Sequence, residues 1–294
     1  MSVDNLLGVH ALVFVGGTTP DDVAVAVERT KAAGFRLLEL SLHDVASLDT
    51  ADARRRLTEA GLEVSASRGL ALSADVSSDD PEIVARGERL LFDSLNIVDE
   101  LGGKILTGAL YSAFGKAAAP LSSTGRRNIV RVLRNLAEEA AARDMTLGLE
   151  ICNRYETNVV NTAADALRLA DDIGADNVMI HLDTYHMNIE ETDFVRPVRL
   201  VGDRLGYVHI GENNRGYLGS GHLDFTSFFH ALADIRYSGP ITFESFSSSV
   251  ASPGLTVDLA IWRNLWNDGD DLARHAHGYI TSQLGVAALG GSVR

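Results

Sequence analysis

Short apolar runs alternate with amphipathic segments from one end of the chain to the other. The runs LLGVHALVF (6–14), FRLLELSL (35–42), LEVSAS (62–67), KILTGAL (104–110), TLGLEI (146–151), NVMIHLD (177–183), LGYVHIG (205–211) and PITFES (240–245) predict eight strands. Helix signals lie between them. Thr19-Pro20-Asp21-Asp22 is a start, with a capping Thr, a Pro in the first turn and acids at the positive end of the dipole. ADARRRLTEAG ends at Gly61, and Asp80-Pro81-Glu82 opens a long helix running to Gly102-Gly103. GRRNIVRVLRNLAEEAAARD spaces Ile129, Val132, Leu133 and Leu136 along one helical face. TAADALRLADDIG, a shorter segment near FVRPVRLVG, and FTSFFHALADI predict three more helices, and the chain reads as helical from Leu255 to about Leu284.

Eight strands, each followed by a helix, imply a parallel sheet, and eight units suggest closure into a barrel. Several runs are short and nearly all apolar, as expected where both faces are buried. The expectation is an α/β fold: a single (β/α)8 TIM barrel domain over 1–294 with a C-terminal helical extension. An open doubly wound sheet is disfavoured, because Gly16-Gly17 after the first strand lacks the GxGxxG spacing. The length of 294 residues fits one barrel of about 250 residues plus an extension.

A net charge of -14 argues against a nucleic-acid partner or an anionic membrane surface, both of which need a basic face. The plainer reading of that acidity is a soluble, cytoplasmic enzyme. No signal peptide is visible in MSVDNLLGVH, and no run approaches the length of a membrane span. The single cysteine, Cys152, excludes an intrachain disulfide and a multi-thiolate zinc site, and is expected to pack.

Four of the apolar runs end in a residue able to bind a hard metal ion: Glu150, Asp183, His209 and Glu244, at steps of 33, 26 and 35 residues. Each has an ordinary explanation alone: a turn-closing Asp, a hydrogen-bonded core His, a Glu in an ion pair. Together, at the C-terminal mouth of a barrel, three carboxylates would repel each other, and a divalent cation is the simplest way to keep them ionised. An O3N ligand set suits Mn²⁺, Mg²⁺ or Co²⁺ better than structural zinc. Just beyond three of these positions stand Glu156, His186 and Arg215, each ordinarily a solvated residue but here beside a proposed ligand.

The segments LEICNRYETNVVNTAADAL, HLDTYHMNIEETDF, YVHIGENNRGYLGSGHLDF and GPITFESF resemble the ketose 3-epimerases, the group of D-tagatose, D-allulose (D-psicose) and L-ribulose 3-epimerases among the xylose-isomerase-like TIM barrels. The likeness runs from LELSL near Glu39 to the C-terminal helices and is strongest from Glu150 to Glu244. It implies one divalent metal per subunit on Glu150, Asp183, His209 and Glu244, and substrate contacts from Glu156, His186 and Arg215. It also implies a free ketose as substrate and a homo-oligomer, dimer or tetramer. Epimerisation at C3 removes a proton next to the C2 carbonyl, giving a metal-stabilised enediolate, and returns one to the opposite face. Two glutamates, Glu150 and Glu244, suit that exchange. The resemblance departs in the first strand, where GVHALVF stands for an aromatic-rich GMFYTYW-like stretch, and in SRGLALSADV. The far end of the sugar pocket is thus left to His10, Phe114 and Phe246 as candidate walls.

Competing expectations on the same barrel are an aldose–ketose isomerase of the hydroxypyruvate or xylose type and an inosose dehydratase. The xylose type needs a second metal, and no extra set of carboxylates stands at the strand ends. A non-catalytic sugar-binding barrel would not need two proton carriers, and a nuclease on this fold would need a basic surface.

Overall fold

The computed structural model describes residues 5–290. Its eight strands are β1 Leu7–His10, β2 Leu37–Ser41, β3 Glu63–Ser67, β4 Ile105–Gly108, β5 Thr146–Glu150, β6 Val178–Asp183, β7 Leu205–Ile210 and β8 Ile241–Phe243. All pair in parallel with their sequence neighbours, and β8 closes on β1, so the sheet is a complete barrel. Helices α1 Pro20–Ala32, α2 Thr50–Ala60, α3 Pro81–Leu101, α4 Ser123–Ala141 and α5 Ala163–Ile173 follow the first five wound units. The chain continues with α6 Thr184–Glu190, α7 Val195–Val201, α8 Phe225–Asp234, α9 Pro253–Asp258 and α10 Gly269–Gly290. The predicted TIM barrel is the observed fold.

The helix starts follow their caps. Thr19 and Asp22 form a reciprocal capping box on α1, Thr162 and Asp165 do the same on α5, and Gly61, Gly102 and Gly174 end their helices in the left-handed conformation. Most of the apolar core lies between strands and helices. Leu38 and Leu40 of β2 and Leu147 and Leu149 of β5 are fully buried beside helix residues such as Val132, Leu133 and Leu136.

The barrel interior carries a polar layer. Tyr207 Oη donates to Glu39 Oε2 at 2.7 Å and meets Ser65 Oγ and Thr242 Oγ1, each also at 2.7 Å. Beside it, His181 Nδ1 lies 2.7 Å from Thr107 Oγ1. Inward positions alternate with the outward leucines, so this layer sits directly under the strand ends.

Two predicted elements need correction. The first strand stops at His10 instead of continuing to Phe14, because the His10 ring accepts the Leu12 N–H and turns the chain into a 3-10 turn, Ala11–Val13. The C-terminal stretch is two helices, with no helix over 259–268: Ala260 adopts a φ of 53°, and Asp268 starts α10 afresh by accepting the N–H groups of Asp270 and Asp271. The intervening segment is tied down by Trp266, buried, whose indole N–H donates to Ser245 Oγ at 2.8 Å.

Candidate active site

The parallel ladder puts the ends of β5 to β8 at one mouth. Glu150 pairs in register with His181, Asp183 with His209, and His209 with Thr242, leaving Glu244 one residue past β8, where its N–H still donates to Ile210 O. Glu150, Asp183, His209 and Glu244 each bring one ligand atom into a group whose members all lie within 4.8 Å of one another. His209 Nδ1 is the hub, 3.2 Å from Glu150 Oε1, 3.5 Å from Glu244 Oε1 and 3.9 Å from Asp183 Oδ2.

Asp183 serves two purposes with its two oxygens. Oδ1 caps α6 by accepting the Tyr185 N–H at 2.7 Å, so the turn-closing explanation of this residue is correct. Oδ2 is buried and has no hydrogen-bond partner, which is costly for a carboxylate oxygen unless something else satisfies it. Like charges about 4 Å apart repel by about 4 kcal/mol at an effective dielectric near 20. An orphaned oxygen, two further carboxylates and one imidazole nitrogen around a common point fit a hard divalent cation.

The two glutamates differ in proton affinity. Burial raises Glu150 to about 8, against the hydrogen bond and charge of His209. Burial also opposes ionisation of Glu244, but the charges of His209 and Arg215 hold its carboxyl below the ordinary carboxylate value. The asymmetry comes from Arg215, whose Nη1 donates to Glu244 Oε2 at 2.7 Å.

Arg215 is held on three sides. Its guanidinium lies 3.8 Å from the centre of the Tyr185 ring and 4.7 Å from that of Phe246, and its backbone adopts a φ of 57°, a left-handed conformation that favours glycine. A Cβ on Gly211 would stand 2.9 Å from Nη1, so the glycine makes room for the guanidinium.

His186 is on the short helix α6 rather than in a loop, and is buried. Its Nδ1 accepts the Asn153 backbone N–H at 3.1 Å and lies 2.9 Å from Asn153 Nδ2, which leaves Nε2 to carry the proton, 3.6 Å from Asp183 Oδ2. Burial lowers its pKa to about 4, so the ring is neutral. Asn153 also donates to Glu156 Oε1 at 2.8 Å, and burial raises Glu156 to about 7.

His10, Phe114, Glu150, Glu156, His186, Arg215, Glu244 and Phe246 line one cleft with about 540 Å³ of empty space, with Asp183 and His209 fully buried behind it. All ten nominated residues therefore belong to one neighbourhood. His10 Nε2 meets Ser67 Oγ at 3.1 Å, and burial lowers its pKa, so it too is neutral. Cys152 lies beyond the end of β5 and is fully buried in the core.

Sequence reasoning passed over Asn153, Tyr207 and Glu39. Glu39 is a further buried carboxylate on β2, whose Oε2 accepts His209 Nε2–H at 2.8 Å. Burial opposes its ionisation, yet His209 holds it down at about 2. A single carboxylate between Leu38 and Leu40 in a largely apolar run was the available signal. It is a single carboxylate below the mouth, not a second set at the strand ends.

The sequence matches the Xylose isomerase-like TIM barrel family over residues 27–277. It is 46% identical to the L-ribulose 3-epimerase of Methylomonas sp. (strain DH-1), over 93% of this chain and 96% of that protein. It is 45% identical to the ketose 3-epimerase of Arthrobacter globiformis, over 95% and 96%. The crystal structure of a Methylomonas D-allulose 3-epimerase in complex with D-allulose superposes with a TM-score of 0.93 at 45% identity, covering 95% of this chain and 97% of that one. The chain belongs to the xylose isomerase-like TIM barrel family and, within it, to the ketose 3-epimerases, isomerases acting on carbohydrates.

Proposed function

We propose that this enzyme epimerises free ketoses at C3, in the class D-fructose/D-allulose, D-tagatose/D-sorbose and L-ribulose/L-xylulose, with Glu150 and Glu244 as the proton carriers. The observation that carries the reading is that two carboxylates, one at the end of β5 and one just past β8, stand 3.2 and 3.5 Å from the same nitrogen, His209 Nδ1. Inversion at C3 needs a base on one face of the carbon and an acid on the other. One glutamate takes the C3 proton onto its carboxylate oxygen, the electron pair passes into an enediolate across C2 and C3, and the other glutamate returns a proton to the opposite face. The reverse reaction exchanges their roles, so either epimer is a substrate.

Glu150, Asp183, His209 and Glu244 would hold one divalent cation, Mn²⁺, Mg²⁺ or Co²⁺. Such an ion would supply a Lewis acid for the ketose oxygens and positive charge that offsets the repulsion of the clustered carboxylates, one glutamate entering each turnover protonated. His186, neutral with its proton on Nε2, and Arg215 donate hydrogen bonds to the O1 and O2 end of the sugar. Glu156, clamped with His186 by Asn153, orients that donor or accepts from a hydroxyl. His10, Phe114 and Phe246 line the same cleft as walls, with Phe246 against the Arg215 guanidinium.

Incubation with D-fructose and Mn²⁺, followed by chromatography of the sugars, tests the reading, and D-allulose is the expected product. If metal-loaded protein leaves D-fructose, D-tagatose and L-ribulose all unchanged, the reading fails. In D2O, label should enter C3; label at C1 would mark an aldose–ketose isomerase instead.

A further inference from the structure

We infer that Glu39 is a positioning residue: it fixes the tautomer and orientation of His209 so that Nδ1 presents a lone pair to the cluster of Glu150, Asp183 and Glu244. The inference rests on the metal-binding reading above and assigns a role to a residue outside that ligand set.

The geometry is a convergence of donors on one oxygen. Glu39 Oε2 accepts His209 Nε2–H at 2.8 Å and Tyr207 Oη–H at 2.7 Å. Tyr207 gives its only proton to Glu39, so the hydroxyls of Ser65 and Thr242, both 2.7 Å from Tyr207 Oη, must donate to it. The polar layer of the barrel is thereby ordered in one direction, from Ser65 and Thr242 through Tyr207 onto Glu39. Burial opposes a charge on His209, but Glu39 and Glu244 favour a charged ring with an N–H on each nitrogen, and that ring gives up one proton to bind a cation. With Nε2–H committed to Glu39, Nδ1 is the nitrogen left to bind a cation, and it is the one facing the carboxylates at 3.2, 3.5 and 3.9 Å. Packing reinforces the orientation: the His209 ring stands edge-on to His181 at 4.1 Å and to Tyr207 at 5.6 Å. Without the Glu39 acceptor the ring could place its proton on Nδ1, in contact with Glu150, where it blocks a cation. Outer partners of this kind typically contribute about ten- to hundredfold in metal affinity.

Two measurements on the full chain test this. The first is Mn²⁺ binding by metal-stripped protein, read from the electron paramagnetic resonance of the free ion. Glu39→Ala should weaken binding about ten- to hundredfold. Glu39→Gln, whose amide oxygen can still accept both donors, should recover part of the loss. Folded Glu39→Ala that binds Mn²⁺ within twofold of the parent overturns the inference and leaves Glu39 a packing group. A parent chain that fails to bind Mn²⁺ overturns both this inference and the metal-binding reading, which separates the two failures. The second measurement needs no variant and decides the matter if Glu39→Ala does not fold. In the Mg²⁺-loaded parent, nitrogen-15 spectra of labelled histidine should show His209 protonated at Nε2 and unprotonated at Nδ1. A proton on Nδ1 overturns the inference.

Discussion

At one end of the cleft, Glu150, Asp183, His209 and Glu244 sit on β5 to β8 or one residue past them, whereas the other end is assembled from His10 at the end of β1, Ser67 at the end of β3, Phe114 in a loop, and Leu255 and Leu259 in and after α9. The first set is fixed by the ladder. Moving any one of them means breaking strand pairing, and beneath them the Tyr207–Glu39 layer holds His209. Within the second set, His10 and Ser67 also sit on paired strands, but Phe114, Leu255 and Leu259 stand on connections that can change length and residue type without disturbing the barrel. On the proposed function, the ladder-fixed residues carry the chemistry and the connections leave room for selectivity.

The sharpest way to break this contrast is at the strand ends. Glu244→Gln and Glu150→Gln should each lower kcat on D-fructose by about 10²–10⁴-fold, the usual contribution of a positioned acid or base. A variant retaining more than a tenth of the parent rate in the chromatographic assay would reduce that glutamate to a bystander. Next is the metal. Mn²⁺ at a hundred times its dissociation constant should stabilise the stripped protein by about 2.7 kcal/mol, seen as a rise of several degrees in melting temperature. No shift with Mn²⁺, Mg²⁺ or Co²⁺ would leave the orphaned Asp183 oxygen unexplained.

The stripped protein should also respond to pH in a defined direction. Glu150 rises from an ordinary 4.5 to about 8 in the fold, and Glu156 to about 7. Between those values the folded chain binds more protons than the unfolded one, so stability falls as pH rises from about 4.5 to about 8. Glu39, held at about 2, acts in the other window and loses its contribution as pH drops below 4.5. Urea titrations across pH should show the first decline, and saturating Mn²⁺ should remove most of it by supplying the missing positive charge.

Smaller effects are expected from the groups around the ligand cluster. Arg215→Lys keeps a charge near Glu244 but loses the planar stack between Tyr185 and Phe246, and should cost about tenfold in kcat/KM. Phe114→Leu should shift the ratio of kcat/KM for D-fructose and L-ribulose by a few-fold, about 1 kcal/mol, with Mn²⁺ affinity unchanged. A Phe114 variant with weakened metal binding would mean that the two ends are coupled.

The strand ends were legible because residues of strong chemistry stood at the ends of apolar runs, where a barrel exposes them to its mouth. Glu39 was harder to read, since it lies in the middle of its strand. The segment after β6 carries two signals on one residue: Asp183 reads as a ligand or a cap, and it caps α6 through Oδ1 while leaving Oδ2 toward the cluster. The helix that it starts carries His186 inward. The first strand was read too long because ALVF continues the apolar run, and apolarity along the chain does not record where hydrogen-bond partners stop.

By itself, the sequence determined the alternation of strands and capped helices, the barrel, and the four strand-end residues, because burial pattern and capping are local properties of a chain. The tertiary structure alone decided which atoms meet. The asymmetry between Glu150 and Glu244 depends on an arginine 29 residues from one of them in sequence, and the orientation of His209 depends on a carboxylate 170 residues away. Hydrogen-bond direction and burial are pairwise properties of groups brought together by barrel closure, and no stretch of sequence records them.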